Sequence, residues 1–128
     1  MYTVVGTDHV EDWFVVTDES GTFECIDDAI VEFERWAQEL LERGFEGSGL
    51  DEFLWDVCTD NDETPEESGL NYGCHRALVE HNEALVTAEF VYDPAAKVVR
   101  DCDSIDITEA RFSPEQRARL VAACRRPG

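Results

Sequence analysis

The sequence predicts an α+β fold, a small antiparallel sheet packed against two to four helices. Three observations point there. Short β-branched and aromatic runs lie at the N-terminus and again after residue 83, a long amphipathic helical pattern falls between them, and a second helical pattern closes the chain. The chain has 128 residues, 43% of them hydrophobic, and its large side chains run from Trp13 and Phe14 through Phe33, Trp36, Phe53, Trp55 and Phe90 to Phe112. That is enough apolar surface for one core, so residues 1–128 are expected to form a single domain rather than a disordered acidic chain, which would lack such residues.

The first element is expected to be a three-stranded meander over residues 2–6, 13–17 and 22–26, with residues 18–21 as a turn. A helix over residues 27–43 follows. Asp27 is placed to cap it, Ile26 and Val31 have the spacing of a hydrophobic staple, and Gly44 is a suitable stop. Ile30, Phe33, Ala37, Leu40 and Leu41 recur at i, i+3, i+4 spacing and so share one face, which must be the buried one.

Ser48 and Asp51 have capping spacing before a second, shorter apolar stripe of Leu50, Phe53, Leu54 and Val57, and residues 59–69 read as an acidic exposed loop. Residues 71–83 fit helix or strand, and helix is the expectation. Residues 84–92 and 97–102 have the pattern of a β-hairpin around Asp93 and Pro94, since proline presets the backbone angle of a turn. Ser113, Pro114 and Gln116 form a capping box with proline at the first helical position, and Leu120, Val121 and Cys124 make the apolar stripe of a basic terminal helix.

Charge is the strongest signal. Thirty acids against ten bases give a formal charge of −20, far beyond the magnitude of roughly 2 to 8 that keeps a small domain soluble. Residues 1–60 hold seventeen acids and two bases, whereas residues 61–128 hold thirteen and eight. Membranes and nucleic acids are anionic, so direct binding to either is disfavoured and a charge-selected partner is basic. The outward side of the helix over residues 27–43 would present Asp28, Glu32, Glu39 and Glu42. Asp28 and Glu32 are one turn apart, about 6 Å along the axis, a spacing similar to that of phosphates on one strand of a duplex. A like-charged i, i+4 pair disfavours the helix, so helix stability does not explain it. The plain alternative is a solvated face partly offset by Arg35 and Arg43. Accumulation favours the first reading: Glu46, Asp51, Glu52, Asp56, Asp60, Asp62, Glu63, Glu66 and Glu67 follow, and no Lys or Arg occurs between Glu46 and Cys74.

Other chemistries lack their patterns. Cys25, Cys58, Cys74, Cys102 and Cys124 include no Cys-x-x-Cys, and with His75 and His81 their separations match no zinc site, so neither metal nor cofactor is expected. The stretch from Asp60 has Pro65 and Asn71 where a calcium loop needs Gly and Glu. Glycines 47 and 49 are flanked by Glu46, Asp51 and Glu52, which would repel phosphate, and no Gly-x-Ser-x-Gly occurs. The N-terminus has no signal-peptide pattern and no apolar run nears the roughly 18 residues of a membrane span, so a cytoplasmic protein with reduced thiols is expected.

The expectation is therefore not an enzyme. It is an inhibitor or immunity protein of the DNA-mimic type, which blocks a basic nucleic-acid-binding protein such as a nuclease, restriction or CRISPR-type complex. The analogy with anti-defence mimics of phage and mobile elements is one of composition. The arginines of the terminal helix leave self-pairing, and so a homodimer, open. The alternative is an ordinary small enzyme or ligand binder from a halophilic organism, for which one Lys against nine Arg and thirty acids speaks.

Overall fold

The computed structural model describes residues 1–10, 13–43, 73–93 and 98–125. Strands β1 (Tyr2–Val10), β2 (Trp13–Phe23), β3 (Gly73–Glu80), β4 (Glu83–Asp93) and β5 (Val98–Ile107) form one antiparallel sheet in the order β2-β1-β3-β4-β5. Helix α1 (Ile26–Arg43) packs against the sheet and against helix α2 (Pro114–Ala123). The fold is α+β, as the sequence predicts.

The core forms where β1, β3, β4 and β5 meet α1 and α2. Val4, Leu78, Val86 and Phe90 from the sheet meet Ile30, Phe33 and Leu40 of α1 and Leu120 of α2, all of them buried. The five α1 residues with helical spacing, Ile30, Phe33, Ala37, Leu40 and Leu41, are buried together. Each large side chain among them contributes about 1.5–3 kcal/mol by leaving water.

The N-terminal meander is corrected to two long strands, because β2 runs through the turn-like residues 18–21. The extra residues are taken up as bulges in the edge strand: Thr3 pairs with Thr22 but Val5 with Glu19, and Gly6 pairs with Asp18 but Thr7 with Val16. At the first bulge the Val4 amide donates to Ser20 Oγ at 2.9 Å, so a side chain takes the place of a ladder carbonyl.

Residues 73–80 are strand, not helix, a second correction. An apolar run as short as Ala77, Leu78 and Val79 has no period of its own, and β3 lies between β1 and β4 with both edges paired. His81 and Asn82, with φ of 48° and 71°, make the two-residue turn into β4. The later hairpin is present, with longer strands than expected. Its turn at residues 94–97, the helix expected at residues 48–57, the loop at 59–69 and the stop at Gly44 lie outside the described residues.

The helix starts differ in detail. α1 begins at Ile26, so Asp27 sits within its first turn rather than capping it, and Val31 is 55% exposed, which leaves the staple unformed. At α2 the capping box is made in full: Ser113 Oγ accepts from the Gln116 amide at 3.1 Å and the Ser113 amide donates to Gln116 Oε1 at 2.9 Å. Among the described residues no helix is long and apolar enough to cross a membrane.

Candidate functional site

The rotation of α1 about its axis decides which acids face outward. Trp36 fixes that rotation from one side. Its ring lies beneath the Arg76 guanidinium, 4.9 Å from centroid to Cζ, and its Nε1 donates to Glu32 Oε1 at 2.6 Å. Arg76 is a core cation, 6% exposed, and its Nη1 reaches across β1 to stand 3.9 Å from Asp18 Oδ2 on β2. Room for it comes from Gly6, directly across the ladder, where a Cβ would lie 2.8 Å from Arg76 Nη1. The sequence carried no sign of this cluster, because a lone Arg in a short apolar run reads as surface.

Against that anchor the expected acids divide. Asp28, Glu39 and Glu42 are exposed on the outward side. Glu32 is only partly exposed and is held by Trp36 and by a short contact with Arg35 Nη2. Arg35 also donates to Glu39 Oε1 at 3.3 Å, so it bridges two of the four acids. The Glu32 hydrogen bond raises the Arg35 pKa above its ordinary value. Glu39 stands three turns beyond Asp28, about 16 Å along the axis and on the same stripe, and Arg35 stands between them. The stripe is thus acid at both ends with a cation in the middle. Asp28 adds to exposed Glu24 and Asp27 at the N-terminal end of α1, where carboxylates suit the helix dipole. Glu46, Asp51, Glu52, Asp56, Asp60, Asp62, Glu63, Glu66 and Glu67 lie outside the described residues.

No protein-family model, curated protein or solved structure matches the chain. Function rests on the chemistry of its own surface.

Several remaining acids are engaged with the arginines that follow them in the chain. Arg119 Nη2 of α2 meets Glu34 Oε1 of α1 at 2.5 Å, and that hydrogen bond raises the Arg119 pKa. Gln116 Nε2 donates to Asp27 Oδ1 at 2.8 Å. Arg111 pairs with Glu80 and Arg117 with Glu109, each at 2.7 Å. The basic terminal helix therefore spends Arg119 and Arg117 within the chain. Among the described residues no group of three or more His, Cys, Asp and Glu is placed to hold a metal ion.

Proposed function

We propose that this chain binds a basic nucleic-acid-binding protein and blocks it by occupying the surface that would otherwise track phosphates. A nuclease, or a restriction or CRISPR-type complex, is the class of partner that fits. The observation that carries the reading is the charge of −20 and its concentration in the first sixty residues. Exposed Asp28, Glu39 and Glu42 on α1 are the described part of that surface. The encounter is electrostatically steered, so association is fast at low salt and weakens steeply as salt rises.

The test is an affinity capture from lysates of the host and its competitors, at low and then high salt, with captured proteins identified by mass spectrometry. A basic nucleic-acid enzyme retained at low salt, released at high salt and displaced by added DNA or RNA supports the proposal. Charge reversal then locates the face: Asp28→Lys with Glu42→Lys should weaken binding at least tenfold more than Asp103→Lys with Asp106→Lys on β5. Equal effects would remove α1 from the interface.

A second reading has its own support. Arginine outnumbers lysine nine to one, and Arg35, Arg111, Arg117 and Arg119 each hold a carboxylate. That pattern suits an ordinary domain adapted to a salty cytoplasm. Capture of no basic enzyme, together with a fold that melts unless salt is high, would favour it.

A further inference from the structure

Cys102 on β5 and Cys124 at the C-terminal cap of α2 stand 22 positions apart in sequence yet meet in the fold. A bulge brings them together. Glu89 pairs with Ser104 but the next residue, Phe90, pairs with Cys102, so Asp103 is an extra residue in β5. Asp103 and Ser104 both face outward and are exposed, while Cys102 turns in beside buried Phe90 and packs on the core. In a regular ladder Phe90 would pair with Asp103 instead, so the aspartate would point at the helices and the cysteine at solvent.

The two thiols line one cavity of about 210 Å³ together with Asp103, Ser104, Ile105, Val121 and Arg125, so an acid and a base both border it. Cys102 Sγ donates to the Ser104 carbonyl at 3.1 Å, and Cys124 is 1% exposed. A hydrogen bond to Cys102, and then burial, push the Cys124 thiol well above its ordinary pKa. Both cysteines therefore border the cavity, Cys102 partly exposed and Cys124 buried and protonated.

The geometry points to Cys102 and Cys124 as an oxidation site that closes to an internal disulfide under hydrogen peroxide. Cys102 reacts first because it is the less buried of the two sulfurs, and it attacks as the thiolate, the nucleophilic form of a thiol. Its sulfur attacks one peroxide oxygen: the S–O bond forms, the O–O bond breaks and hydroxide leaves, so Cys102 becomes a sulfenic acid and the peroxide is reduced. The Cys124 sulfur then attacks the sulfenic sulfur. An S–S bond forms, the S–O bond breaks, and the oxygen departs as water with the Cys124 proton. In total, two thiols and one peroxide give one disulfide and two waters.

The bridge ties the C-terminal end of α2 to edge strand β5. It fixes a helix that otherwise meets α1 through Arg119 with Glu34 and Gln116 with Asp27. The inference does not depend on the proposed partner, since both its chemistry and its readout lie within the chain.

The full chain is reduced, freed of reductant, treated with a few equivalents of hydrogen peroxide, alkylated and digested without reduction. The expected result is a linked Cys102–Cys124 peptide as the main cross-linked product. Tm should rise by roughly 5–10 °C relative to the reduced chain and return when dithiothreitol is added. Cys102→Ser should abolish both the linked peptide and the rise, whereas Cys25→Ser, at an exposed thiol, should keep both. Absence of the linked peptide from the unsubstituted chain, a different main pairing, or a Tm that falls on oxidation would overturn the assignment.

Discussion

Gly6 and Arg76 form a pair in which one residue exists for the other. The Arg76 Nε is buried and has no hydrogen-bond partner, so the cation is held by its stack on Trp36 and by Asp18. A methyl group at position 6 would push the guanidinium off that ring. Gly6→Ala is therefore expected to lower stability by about 1–3 kcal/mol, read from a denaturant melt. Adding Arg76→Met, which removes the head group but keeps a long stem, should recover most of the loss; strict additivity of the two substitutions would show that the clash is not with Arg76.

Cys124 supplies a second residue-scale expectation. The fold raises its pKa above the reference value of 9.0, so above that pH the unfolded chain loses a proton that the folded chain keeps. Stability is then full below about pH 9 and declines as pH rises, with a limiting slope near 1.4 kcal/mol per pH unit for one proton. The decline should be shallower in Cys124→Ala, whatever the lower starting stability of that variant. Parallel alkaline slopes in the two proteins would remove Cys124 as the source.

Among the elements, α2 depends most visibly on a local device. Ser113→Ala deletes the acceptor of the Gln116 amide and should cost about 1 kcal/mol, checked by Tm, with Ser113→Asp retaining most of the stability. That box was legible in the sequence because capping is a local code of four residues, and the buried stripe of α1 was legible because five apolar residues recur at helical spacing. The strands were less so. Residues 18–21 carry the composition of a turn, but pairing with β1 draws them into β2 as bulges, with Ser20 supplying an acceptor. β3 is strand because β1 and β4 flank it, a fact held in residues about seventy positions away for β1. The site was legible in the same uneven manner: exposed Asp28, Glu39 and Glu42 follow from helix geometry, whereas the engagement of Glu32 depends on Trp36 lying under an arginine from β3.

At the scale of the whole molecule the surplus of acid must act on the fold itself. A chain of this length has a radius of gyration of about 14 Å, while the Debye length is about 10 Å at 0.1 M salt and about 3 Å at 1 M. At low salt, carboxylates across much of the molecule still repel one another; at high salt only near neighbours do. Tm is therefore expected to rise by several degrees between 0.05 and 1 M NaCl, as screening relieves repulsion that the compact state suffers more than the unfolded chain. Partner binding through the acidic surface should move the opposite way over the same range, its affinity falling as Tm climbs. Scanning calorimetry and a salt series of the captured complex measure the two slopes on one protein. Opposite slopes are what an acidic binding surface requires, since the repulsion that weakens the free protein is what the basic partner relieves. A Tm that does not respond to salt would mean that pairs such as Glu34 with Arg119 and Glu80 with Arg111 neutralise the acids where they stand. No strong field would then remain to select a partner.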